Sequence, residues 1–142
     1  MKNPIVLDCE VYPNYTLFAF KNIDNQKVIT IELKGANSHL DNNQWKTLNT
    51  IMRTKTTFGF NSRNYDMPII LYALQKKTAY QIFQLSSYII KENTTGWMTM
   101  QKFNLNWDKD EINHFDIQEP SPGVQVSLKL YGARLHSKTL QD

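Results

Sequence analysis

A chain of 142 residues, 41% hydrophobic, 12% aromatic and 20% charged, has the size and make-up of one globular domain, 1–142, able to bury a core. No apolar run approaches the roughly 18 residues of a membrane span, and Met1-Lys2-Asn3-Pro4 leads into a strand-like run rather than a signal peptide, so a cytoplasmic protein with no membrane partner is expected. The net charge of +3 permits a polyanionic partner without demanding one, while one cysteine and three scattered histidines argue against a disulfide or a structural zinc site.

Ile5-Val6-Leu7-Asp8-Cys9-Glu10 reads as a strand ending in two carboxylates one residue apart. Strand side chains alternate, so Asp8 and Glu10 point one way, with Cα atoms roughly 6.5 Å apart, and Leu7 and Cys9 point into the core. Two carboxylates so placed can share a hard divalent cation; a pair of solvated charges is the commoner outcome of the same spacing. Val11 to Tyr15 reads as a turn around Pro13, Thr16 to Lys21 as a second strand, and Lys27 to Leu33 as a third, reached through the turn Asn22 to Gln26. These three form an antiparallel meander.

Gly35 to Asn43 is polar connection, and Asp41 or Asn42 caps a helix whose Trp45, Leu48, Ile51 and Met52 share one face. Lys55 to Phe60 is a short buried strand. A helix starts at Asp66, with Pro68 in its first turn and Ile69, Ile70, Ala73 and Leu74 as its apolar stripe, and another covers Ala79 to Ile90. The stretch 92–113 shows no regular pattern. Ile112 to Ile117 is a strand containing Asp116, Glu119 to Gly123 is a Pro-Gly break, and Ser127 to Leu135 is a last short helix weakened by Gly132. Meander, helix, strand, helices and strand argue for an α/β fold with a mixed sheet.

The second stretch with chemistry in it is Phe58 to Ile70. A strand delivers Asn61 to the sheet edge, a tight loop follows, and Asp66 stands at the mouth of a helix. By itself Asp66 reads as an N-cap, but that role leaves the preceding Asn61 and Tyr65 unexplained. The two segments together resemble the DnaQ-like, or DEDD, superfamily of 3'-5' exonucleases: Asp8-Cys9-Glu10 is similar to its first motif, and Asn61 to Asp66 to its second, where an Asn precedes an aromatic-Asp pair. The chain as a whole resembles the amino-terminal proofreading exonuclease domain of T7-like phage DNA polymerases, through Leu7 to Tyr15, Gly59 to Pro68 and Ser127 to His136.

The resemblance implies a ribonuclease H-like mixed sheet flanked by helices, and a metal-dependent hydrolase working on single-stranded DNA ends in the cytoplasm of a bacterial host during phage DNA replication. It implies two Mg²⁺ or Mn²⁺ ions, which take carboxylate oxygens in preference to His or Cys. Asp8 would bridge both ions, Glu10 would hold one and position the attacking water, and Asp66 would bind the other. Asn61 belongs to the same motif, and Tyr12 and Tyr65 would flank the terminal nucleotide; both tyrosines are equally readable as core residues.

One part of the family pattern is missing. The superfamily carries a fourth carboxylate in a third motif, Tyr or His followed at a set spacing by Asp. Here Tyr131 is followed four positions on by Leu135, and His136 lies six positions before Asp142, one out of register. Three expectations follow: a polymerase fragment or another protein supplies the carboxylate in trans; Asp116 or Asp142 substitutes for it; or the chain is a catalytically incomplete binding protein for nucleic acid or a protein partner, an inhibitor included.

Overall fold

In a computed structural model, residues 4–117 are described. The expected meander is present as β1 (Ile5–Tyr12), β2 (Tyr15–Asn22) and β3 (Val28–Lys34). β1 runs two residues beyond the expected Glu10, because Pro13 and Asn14 alone make the turn and Tyr12 pairs directly with Tyr15. The chain continues through α1 (Asn42–Thr54), β4 (Thr57–Phe60), α2 (Asp66–Leu74), α3 (Ala79–Glu92), α4 (Gly96–Lys102) and β5 (His114–Ile117). The five strands lie in the order β3-β2-β1-β4-β5, with β2 antiparallel to β1 and β3, β4 parallel to β1, and β5 parallel to β4. The protein is therefore α/β, with a mixed sheet flanked by helices.

Alternation along the strands decides which face is the core. Leu7 and Cys9 of β1 lie opposite Phe20 and Phe18 of β2, and Phe18 opposite Ile31 of β3, while Ile5 and Leu33 belong to the same buried cluster. Against them pack Leu48, Ile51 and Met52 of α1, Met67, Ile69, Ile70 and Ala73 of α2, and Ile82, Leu85 and Ile89 of α3. Helix α2 is buried nearly all round, so its role is to fill the centre of the domain rather than to cover it. The indole Nε1–H of Trp45 donates to the carbonyl of Leu74 at 2.8 Å and fastens α1 to α2.

Local chemistry starts the helices where the polar residues stand. Asp41 and Thr78 each close a capping box, with Gln44 and Gln81 respectively. Helix α4 lies in the stretch that showed no regular pattern. Its cap is Thr95, whose hydroxyl accepts from the N–H of Met98 at 3.3 Å. It has only seven residues and opens on glycine, a weak helix former, so periodicity could not reveal it. That glycine is required by packing: a Cβ on Gly96 would stand 2.2 Å from the carbonyl oxygen of Arg63.

Truncating Ile70 to Ala in α2 is expected to lower the unfolding free energy by about 2–5 kcal/mol. The same change at Ile90, 70% exposed on α3, should cost no more than about 0.5 kcal/mol. Urea titrations of the two variants check the assignment of the core.

Candidate functional site

β1 stands where the sheet divides. From β1 the chain turns to β2 and β3 on one side, and it returns through α1 to β4 and β5 on the other. In open α/β sheets such a division, at the carboxyl ends of adjacent parallel strands, leaves a crevice where ligands bind. Here β1 and β4 are paired only at Ile5–Thr57 and Val6–Phe58. Beyond those pairs stand Asp8 and Glu10 on β1, the loop 61–65 that follows β4, and Asp66 at the head of α2.

Asp8 and Glu10 are half-buried and alternate with the buried Leu7 and Cys9, so they share one face of the strand as their spacing predicts. Across β2 that face continues with Ala19 opposite Asp8 and Leu17 opposite Glu10. It also carries the buried Lys21, opposite Val6, which places a positive charge on the carboxylates' side of the sheet. Toward the other edge the same face bears Phe58, Phe60 and Phe115, the rings of Phe58 and Phe115 stacked at 5.4 Å. Tyr12, two residues past Glu10, ends the row with its ring centroid 6.4 Å from that of Tyr15.

The N-cap reading of Asp66 is corrected by its position. Tyr65 occupies the cap and makes no side-chain cap bond, while Asp66 is the first helical residue and is only 5% exposed. Its carboxylate reaches back to β1, where it accepts hydrogen bonds from the thiol and the backbone N–H of Cys9. Burial pushes the Asp66 carboxyl well above the usual carboxylate range. The charge of Asp8 pushes it further and that of Asp116 adds to it, while the bonds from Cys9 oppose the rise. Burial likewise holds the Cys9 thiol far above its ordinary value, with Asp66 and Asp8 adding to the effect, so Cys9 is a protonated donor and no nucleophile.

The loop carrying the second motif is fastened from three elements. Asn61 takes the left-handed conformation at φ 55°, which asparagine tolerates better than most residues, and its Oδ1 accepts from Asn64 Nδ2 at 3.4 Å. From β5, His114 Nε2 meets the buried Ser62 hydroxyl at 2.6 Å, and Asp116 Oδ2 accepts from the backbone N–H of Arg63 at 2.9 Å. From α4, the N–H of Gly96 donates to Asn64 Oδ1 at 2.7 Å. From α3, the Ser86 hydroxyl lies 2.6 Å from that of Tyr65, whose ring packs against the core. Burial raises the Tyr65 hydroxyl far above its ordinary value, and the charges of Asp66 and Glu10 add to the rise. Gly59 gives the loop room to fold back, since a Cβ there would stand 2.5 Å from Ser62 Cβ.

His114 links the paired strands as well, its Nδ1 lying 2.7 Å from Thr57 Oγ1. Burial lowers it to about 4, helped by Arg63 and opposed by Asp116, so the imidazole is neutral in the folded protein at pH 7. A neutral ring has one N–H and one bare nitrogen, and the two hydroxyls can serve either tautomer.

Asp8 and Asp116 are thus brought near Asp66, and Glu10, on the same strand face as Asp8, near Tyr65; Asn61 lies at the start of the loop that leads to Asp66. Among the described residues no three His, Cys, Asp or Glu side chains form a ready-made metal cluster. The charges of Asp8 and Asp116 reach Asp66 and disfavour its ionised form, without the acids converging on one point. Asp142 and the stretch Ser127 to His136 lie outside the described residues. Ser62, His114, Ser86 and Gly96 were not singled out by sequence. Gly59 beside the second motif is a signal for close packing there, but nothing local points to a partner on β5. Comparison of the chain with family models, curated proteins and solved structures finds no match.

Because His114 is depressed below the unfolded value of 6.5, the unfolded chain takes up its proton first as the pH falls. Its contribution is complete above about pH 6.5 and is lost as the pH drops toward 4. Asp66, raised in the fold, acts in the opposite sense, so the His114 part must be isolated by substitution. The destabilisation caused by His114→Gln should be smaller at pH 5 than at pH 7 by about 2 kcal/mol. Urea unfolding of both proteins at the two pH values measures it, and an unchanged difference would rule out a neutral buried ring.

Proposed function

We propose that this protein is a metal-dependent 3'-5' exonuclease of the DnaQ-like type, with a ribonuclease H-like sheet, acting on single-stranded DNA ends. What supports the reading is that Asp8 and Asp66, from segments far apart in the chain, come close enough for the charge of one to act on the other, with Glu10 on the same strand face as Asp8 where β1 and β4 part. The five-stranded mixed sheet with flanking helices is compatible with that fold. No helix among the described residues is long and apolar enough to cross a membrane.

The donor set suits Mg²⁺ or Mn²⁺. Asp8, Glu10 and Asp66 offer hard oxygen ligands, and Asp116 is the nearby candidate for the fourth acid that the carboxyl-terminal residues do not supply in register. A divalent cation would also take the place of the proton that burial and Asp8 favour on Asp66. When bound, a pair of such ions lowers the pKa of an attacking water and stabilises the leaving 3' oxygen. The chain's own residues do the positioning. Cys9 orients the Asp66 carboxylate, the Arg63 N–H orients Asp116, and the Ser62–His114 contact holds the loop between them. Tyr65, its hydroxyl at 2.6 Å from that of Ser86 and its ring packed against the core, fixes the end of the loop next to Asp66.

Release of nucleotides from a 3'-labelled single strand in Mn²⁺ tests the reading. The wild type should cleave, and the Asp8→Ala, Glu10→Ala double variant should fall to background; equal cleavage by both would sink the assignment. Asp116→Ala should reduce the rate strongly if it is the fourth acid and leave it unchanged if a partner chain supplies one. Mn²⁺ at about 100 times its Kd should stabilise the wild type by about 2.7 kcal/mol and the double variant far less. A wild type that neither cleaves nor gains stability in Mn²⁺ would favour the binding-protein alternative.

A further inference from the structure

Against Arg63 of the loop that carries Asn61 to Tyr65 lies a groove of about 300 Å³, walled also by α4 and the segment that follows it. Its walls include Arg63, Trp97, Met100, Leu105, Trp107 and Lys109. We infer that this groove is a binding track for unpaired DNA, in which bases stack on the two tryptophans while Arg63 and Lys109 meet the phosphates. The inference rests on the nuclease reading, which supplies single-stranded DNA as the class of ligand.

Each part of the groove suits such a ligand. Trp97 is 70% exposed, a large flat apolar surface offered to solvent on the first turn of α4. Trp107 forms a fixed wall: its Nε1–H donates to the Ile112 carbonyl at 3.4 Å, its ring meets His114 edge-on at 5.9 Å, and the Lys109 ammonium stands 5.5 Å from its centroid. Among the described residues, the charged side chains that line the groove are the cations Arg63 and Lys109. An anionic chain carrying flat apolar rings matches this combination, because any base has a face that stacks and every nucleotide brings one negative charge. A purely apolar peptide would bring no negative charge to Arg63 and Lys109, and an acidic peptide would bring no flat ring to the exposed Trp97.

The groove and the crevice share a residue. Arg63 lines the groove, while its backbone N–H holds Asp116 and its carbonyl lies against Gly96. A strand gripped in the groove therefore bears on the same loop that ends in Asp66. The second motif is anchored to the wall of a basic, aromatic channel.

The test uses the full chain carrying Asp8→Ala and Glu10→Ala, which binds without cleaving, and a short oligothymidylate as probe. Binding is followed by tryptophan fluorescence across a salt series. Quenching on binding is expected, and Trp97→Ala should weaken the affinity roughly tenfold or more, the effect of losing one stacked base. Lys109→Gln should lower the salt slope by about one, and Lys27→Gln, on the exposed turn between β2 and β3, should change neither. Affinity unaltered by Trp97→Ala and Lys109→Gln, or no binding of the oligonucleotide by the parent, overturns the inference. The two readings fail separately. Cleavage by the wild type that is indifferent to Trp97 would remove the groove and leave the nuclease; Trp97-dependent binding by a chain that never cleaves would do the reverse.

Discussion

A buried carboxylate that crosses from the head of a helix to the middle of the central strand organises this protein. Asp66 replaces a strand neighbour beside Cys9, at the level where β4 no longer pairs with β1. A cleft left open between two parallel strands exposes backbone donors that must be satisfied somewhere. Asp66 answers that need with a group that is itself uncomfortable in a buried place, beside Asp8 and within reach of Asp116. Removing such an acid leaves a donor unmet, and retaining it leaves like charges crowded, a tension that a cation would relieve.

Around that bond the loop is held with little freedom. Four of its five residues have a named partner outside the loop: Ser62 on His114, Arg63 on Asp116, Asn64 on Gly96 and Tyr65 on Ser86. Two glycines, Gly59 and Gly96, allow the approach because a methyl group at either would meet the loop at sub-contact distance. A site that must hold several acids in fixed relation gains from this arrangement, since each acid is placed by packed elements rather than by a free loop.

Much of the architecture was legible from local patterns. The alternation in Ile5 to Glu10 foretold which side of β1 Asp8 and Glu10 would occupy, and Trp45, Leu48, Ile51 and Met52 foretold the inner face of α1. These patterns are read within one element, where period and burial are coupled directly. Helix α4 was not legible, because seven residues beginning with glycine hold too few turns to show a period. The cap role for Asp66 was mistaken for a related reason. An Asp at a helix start looks the same in sequence whether its carboxylate turns back on its own helix or reaches another strand.

By itself the sequence determined the kinds of element, their order, and the two segments in which acids and asparagine stand at suggestive spacing, because propensity, capping and periodicity act over a few residues. Only the tertiary structure decided that β5 comes to lie beside β4. That pairing brings His114 and Asp116 onto the second-motif loop and sets Trp107 across a groove from Trp97. Such meetings depend on strand order and on the volume of packed side chains, which no short stretch of chain encodes.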